Sequence, residues 1–290
     1  MSTINPRSQA LAGVRIRERA PAEPGPGRQG ARSGWWRRAA SPIALLVIWQ
    51  LTNVFHLVSA TKLPPPTRVV SEAWTLISTS SPAYGGTLQH ALLVSLERMA
   101  IGFALGGAAA LVLALVAGLT RLGEEGIDPL MQMVRTLPLF GLVPVFIVWF
   151  GIGQLPKILL IAIAAVVPLY LNAFSGIRGV DGRLRELAQS LGLNRRETIT
   201  QIVLPGALPA TLVGLRQSLG VAWLALVVAE QINANSGLGF IINQGEQFNQ
   251  NNVIFVALIV YTILGLLTDW LVRRLERRAL SWRRGLVVGA

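Results

Sequence analysis

Side chains that usually carry out chemistry are scarce in this chain. It has no cysteine and only two histidines, His56 and His90. A thiol nucleophile, a disulfide framework and a thiolate metal site are thereby excluded, and one imidazole seldom holds a metal. A phosphate-binding G-x-x-x-x-G-K-[ST] loop needs a lysine after glycine, yet the two lysines, Lys62 and Lys157, follow Thr61 and Pro156. No H-E-x-x-H pair or paired-aspartate site of an intramembrane enzyme occurs either, so no catalytic residue, cofactor or metal is expected. What remains is a small set of polar groups inside apolar runs: Arg135, Asn172 and Arg216. At 1.5 Å per helical residue, each arginine lies about 10 Å inside its run. An arginine near mid-membrane costs roughly 2.5 to 3.5 kcal/mol, so each should face a cavity or a partner, or snorkel to the interface. In a cavity they would supply a positive field for an anion; otherwise they hydrogen-bond carbonyls freed near Pro138. Asn172, beside Tyr170, is a polar candidate for the wall of such a path. Asp269 and Arg273, at i and i+4, are expected to pair at a helix end, and Glu230 is expected where an apolar run meets the outer face.

A second feature is a polar stretch from Asp181 to Pro209, DGRLRELAQSLGLNRRETITQIVLPGALP. Leu184, Leu187, Ala188 and Leu191 fall at i, i+3, i+4 and i+7, one face of a short helix, with Arg183, Arg185, Glu186, Gln189 and Ser190 opposite. Gly192 stands where a glycine ends a helix. Asn194 followed three residues later by Glu197 is a capping-box signature for a second helix, whose Ile199, Ile202 and Val203 share a face. Pro205 is expected to end it, and Pro209 to sit in the first turn of the next apolar run. On composition alone, such a pair either lies on a membrane surface or docks on another protein.

The elements that position these groups are apolar. Of 290 residues, 52% are hydrophobic and 14% charged, against about 25% charged in a soluble domain; the mean hydropathy is +0.53. Runs long enough to cross a bilayer, about 20 residues each, are expected at residues 40–58, 92–119, 130–151, 156–176, 208–229 and 252–272. Pro138, Gly141 and Pro144 interrupt the third, which is therefore expected in the protein interior, where freed backbone groups can be satisfied. Loops rich in Lys and Arg stay in the cytoplasm. With both termini inside, 20 of the 26 basic residues fall on that side. Residues 1–39, with PAEPGPGRQG at their centre, are expected to form a disordered basic cytoplasmic arm, and residues 273–290 a basic cytoplasmic tail. Gly102, Gly106, Ala110, Ala114 and Gly118 place one small residue every four positions, which lets another helix approach closely, within the chain or across a dimer.

The polar stretch also carries a longer pattern. Glu186, Ala188, Gly192, nine further residues and then Ile202-Val203-Leu204-Pro205 resemble the E-A-A-x3-G-x9-I-x-L-P signature of ABC importer permeases, with Leu187 in place of the usual second alanine. LPPPTRVVSEAWTL, DPLMQMVRTLP, LVPVFIVWFGIG, PLYLNAFSGIR and VVAEQINANSGLGF are similar to the branch that imports aliphatic sulfonates, taurine or nitrate, and to its sulfonate members above all. The long basic arm departs from that pattern. The resemblance implies an all-α integral membrane protein of six transmembrane helices, with a cytoplasmic coupling-helix pair between spans four and five. It further implies that Leu184, Glu186, Leu187, Ala188, Leu191, Gly192, Ile202, Leu204 and Pro205, within residues 181–205, meet the ATPase. The implied partners are two ATP-binding cassette subunits, a periplasmic or lipoprotein substrate-binding protein that could dock near the Ser236–Gly239 turn, a second permease copy and the bilayer of a bacterial inner membrane, but no nucleic acid. Without a nucleotide loop of its own, such a chain must draw its energy from another subunit. The competing reading is an ion-driven secondary transporter. That class carries coupling acids in mid-span and often shows inverted repeats, whereas Glu97, Glu230 and Asp269 lie near expected span ends and no repeat is evident.

Overall fold

The computed structural model describes residues 34–232 and 234–281. The chain divides at Trp49 into two units, of which residues 50–281 form the described part of the larger one. The expectations for residues 1–33 and 282–290 lie outside the described residues. Among the described residues the structure is helical, with no strand.

The described residues form, in order, the α-helices α1 (Gly34–Val54), α2 (Pro66–Ser78), α3 (Leu88–Leu119), α4 (Arg121–Thr136), α5 (Val143–Phe150), α6 (Gln154–Arg178), α7 (Gly182–Ser190), α8 (Arg195–Thr198), α9 (Leu204–Gln231), α10 (Leu238–Gln247) and α11 (Asn251–Ala279). Among the described residues four helices are long and apolar enough to cross a membrane: Leu88–Leu119, Gln154–Arg178, Arg195–Gln231 and Asn251–Ala279. They coincide with the runs expected at 92–119, 156–176, 208–229 and 252–272. The outward sides of α3 and α11 expose Leu105, Val112, Ile263 and Leu266, a large apolar surface that a bilayer covers and water would not.

The first run differs at both ends. Its helix already begins at Gly34, inside the segment expected to be disordered, and stops at Val54. The stop has a local cause: His56 is left-handed at φ 52°. Its N–H donates to the Asn53 carbonyl and that of Leu57 to Thr52, the pair of bonds that terminates a helix around a left-handed residue. The last helix runs to Ala279, well into the segment expected as tail.

The third run is interrupted where Pro138, Gly141 and Pro144 stand, and comprises the end of α4, a 3-10 turn at Leu139–Leu142 and the eight-residue α5. It is not wholly interior to the chain: Met131, Val143 and Phe146 are buried, while Val148 and Trp149 are exposed. The backbone near the prolines is satisfied locally, Leu137 N–H bonding the Val134 carbonyl and Gly141 N–H the Pro138 carbonyl. Burial is therefore not required to pair those groups.

Helix α6 sits at the centre, between α3 and α9. Its Leu160, Ile161, Ala164, Ala165, Leu169 and Tyr170 are almost fully buried, as a helix that is apolar all round should be. The small-residue stripe of α3 packs against this helix of the same chain. A Cβ added at Gly106 would lie 2.2 Å from the Ala162 carbonyl oxygen, and one at Gly118 2.6 Å from Ile177. Only glycine permits so close a backbone approach.

Candidate functional site

The polar stretch folds as two short helices around a glycine. Asp181 caps α7 by accepting from the Arg183 N–H at 2.9 Å. At the other end Gly192 has φ 74°, the Gly192 N–H donates to the Gln189 carbonyl and the Leu193 N–H to Ala188, both at 3.0 Å. That is a Schellman motif closed by a left-handed glycine. Leu191 is the C-cap and not a helical residue. The capping box forms as its spacing implies: the Asn194 side chain accepts from the Glu197 N–H at 2.9 Å, and the Glu197 carboxylate from the Asn194 N–H at 2.8 Å.

The apolar face of α7 splits in two. Ala188 is fully buried, whereas Leu184, Leu187 and Leu191 are 47%, 55% and 71% exposed, so three leucines on one side are left largely uncovered by the described residues. Glu186 is exposed on the polar side.

Pro205 does not end the second helix, contrary to expectation. The chain passes from α8 through a π-helical turn at Ile199–Val203 directly into α9, with Pro205 in its first turn and Pro209 inside it. A proline interrupts an α-helix because it lacks an N–H and its ring meets the carbonyl four residues back. The wider π turn, in which Leu204 N–H reaches back to Ile199, moves that carbonyl register and lets the helix continue. Val203 anchors the turn against Ile177 and Ala207, while Ile202 is partly buried and Leu204 38% exposed.

Arg135 and Asn172, far apart in sequence, line one cavity of about 420 Å³ together with Val134, Leu139, Val167 and Gln217. Among the described residues Arg135 has no carboxylate partner. Asn172 Nδ2 donates to the Pro168 carbonyl at 2.8 Å and to Gln217 Oε1 at 2.9 Å. Arg216 is not brought to this cavity. Its guanidinium lies 2.7 Å from Asp269 on α11, and Asp269 also pairs with Arg273 one turn on. Consecutive positions of an α-helix point about 100° apart, so Arg216 faces away from the cavity that its neighbour Gln217 lines.

Sequence reasoning missed the most buried polar cluster. Glu230 is fully buried and Arg98 3% exposed, their charged atoms 2.6 Å apart. Glu230 also accepts from Ser95 Oγ at 2.8 Å, the Gly239 N–H at 2.9 Å and Tyr261 Oη at 3.0 Å. Arg98 further donates to Gln154 Oε1 at 2.6 Å and the Ser236 carbonyl at 2.8 Å. The cluster ties α3, α6, α9 and α11 to the Ser236–Gly239 turn. Ser95 and Arg98 on one face of α3, inside an otherwise apolar run, were its only local signal. Lys157 is likewise buried, donating to the Gly153 carbonyl at 2.7 Å.

Fold and site together define a multi-pass helical membrane protein with a short polar helix pair set between two of its long helices. The chain belongs to the family described as binding-protein-dependent transport system inner membrane components, whose pattern matches residues 106–281. It is an ABC importer permease of the branch that includes proteins named for aliphatic sulfonates, taurine and nitrate. It is 43% identical over 258 residues to the Bacillus subtilis (strain 168) protein named for aliphatic sulfonates transport, SsuC, with 89% of this chain and 91% of the relative covered. Identity is 33% to the taurine transport system permease protein TauC of Escherichia coli (strain K12), over 82% of this chain and 86% of TauC. It is 31% to the nitrate import permease protein NrtB of Synechococcus elongatus, over 78% and 83%. The fold is shared with a chain of an amino acid ABC transporter, at TM-score 0.57 and 18% identity, over 72% of this chain and 96% of that one. It is shared also with a chain of the inward-facing MetNI methionine ABC transporter, at TM-score 0.51 and 20% identity, over 66% and 94%.

Proposed function

We propose that this chain is the six-span translocation subunit of an ATP-driven importer of small organic anions, aliphatic sulfonates first among them. Its 43% identity to the Bacillus subtilis sulfonate-named permease carries the substrate class. Arg135, a guanidinium without a carboxylate partner among the described residues in a cavity of about 420 Å³, supports an anion independently. Small-molecule sites run from about 300 to 1,000 Å³, so the cavity has room for one.

Residues 181–205 are the coupling segment. The exposed Leu184, Leu187 and Leu191 dock in a groove of the ATP-binding subunit, and the bond from α8 through the π turn into α9 carries its movement into a membrane-length helix. Two such ATPase subunits, a second permease copy and a binding protein outside complete the machine, with both permease termini in the cytoplasm. Asn172 and Arg135 line the path. Arg216 acts as a structural partner of Asp269.

The test is competitive uptake. The complex is reconstituted in vesicles with its binding protein, and labelled ethanesulfonate import is measured against excess unlabelled alkanesulfonate, taurine or nitrate. Alkanesulfonate should compete best. Better competition by taurine or nitrate would move the substrate assignment within the branch, and Arg135→Gln should cut import while the complex still assembles.

A further inference from the structure

The amide side chains of the cavity have one orientation, and its origin lies in the backbone. The Pro168 carbonyl can only accept a hydrogen bond, so the Asn172 atom facing it at 2.8 Å is the nitrogen. That nitrogen then presents its second hydrogen to Gln217, 2.9 Å away, where only the Gln217 oxygen can receive it. With its oxygen held, Gln217 must turn its NH2 group the other way. Gln217 is exposed to the cavity that Arg135 also lines, and among the described residues its NH2 hydrogens meet no acceptor.

We infer that Gln217 is a hydrogen-bond donor to the oxyanion headgroup of the transported solute, held in the donating orientation by Asn172. This rests on the reading of the cavity as the anion path. Arg135 supplies charge from α4 and Gln217 two neutral N–H donors from α9, so a headgroup with several oxygens is gripped from two helices at once. Asn172 touches Gln217 rather than the solute, since both its N–H groups are committed to protein; it is a positioning residue.

Two substitutions separate donation from packing. Gln217→Glu keeps the shape and an oxygen for Asn172 but removes both donors and adds a negative charge. Gln217→Lys removes the oxygen but restores donors. Uptake of ethanesulfonate by the reconstituted complex should fall about tenfold or more with Gln217→Glu, the loss expected for one hydrogen bond to a charged group, and be largely kept with Gln217→Lys. The reverse order would overturn the inference and make Gln217 a mere packing partner. Loss in both, in a complex shown to assemble, would overturn it too, since the lysine restores donors. If Arg135→Gln abolishes uptake while both Gln217 variants transport normally, the anion path stands and this inference falls. If Arg135→Gln also transports normally, the reading of the cavity itself fails.

Discussion

Replacing Gly192 isolates the geometry of the helix pair from everything around it. A Cβ at this position would meet nothing within 4 Å, so no steric clash contributes. The whole cost is the left-handed backbone at φ 74°, about 1–2 kcal/mol for an ordinary L-residue, more for a β-branched one and less for asparagine. Since about 1.4 kcal/mol is tenfold in an equilibrium constant, Gly192→Ala should weaken capture of the ATP-binding subunit roughly tenfold. Gly192→Val should weaken it further, and Gly192→Asn should stay near the parent. The assay is co-purification across a titration of ATPase subunit, with membrane insertion checked in parallel. Insertion should not change, because no membrane-length helix includes residue 192. Glu186→Ala, on the polar side of α7, should have a milder effect. A valine variant that binds and transports as the parent does would refute the assignment of residues 181–205 as the coupling element.

Three further outcomes are expected. Glu230→Gln leaves Arg98 buried beside a neutral amide, and breaking a buried pair from one side costs about 3–5 kcal/mol; the apparent unfolding midpoint of the purified protein should drop by about 10 °C, part of it recovered by adding Arg98→Met. Gly106→Ala forces a carbon to 2.2 Å from the Ala162 carbonyl oxygen and should reduce the yield of folded protein, whereas Gly126→Ala in α4, with nothing within 4 Å, should be neutral or slightly stabilising. Reporter domains fused after Arg38 and after Arg284 should both read as cytoplasmic, and a periplasmic reading at either end would change the span count.

What the sequence revealed was mostly local. The turn between α7 and α8 follows from Gly192 and from Asn194 with Glu197, signals that lie within a few residues of the structure they produce. The expected Asp269–Arg273 pair has the same origin, one turn of helix. Pairings across the fold leave no such trace: Glu230 lies 132 residues from Arg98, and Arg216 turns to Asp269 on another helix. The stripe of small residues in α3 announced a close approach but not its partner, which proved to be α6. Proline misled in two ways. At Pro205 a π turn absorbs it without a break, and at Pro138 to Pro144 it divides a span whose backbone then pairs locally, leaving Val148 and Trp149 exposed instead of interior.

The measurement closest to the central claim is energy dependence of transport. The permease, the ATP-binding subunit and the loaded binding protein are reconstituted in proteoliposomes, with ionophores collapsing all ion gradients, and labelled ethanesulfonate uptake is followed with and without ATP. Uptake should require ATP and all three components and persist without any gradient. Uptake that stops when the gradients collapse, or that proceeds without ATP and the ATP-binding subunit, would contradict the account and favour an ion-driven carrier.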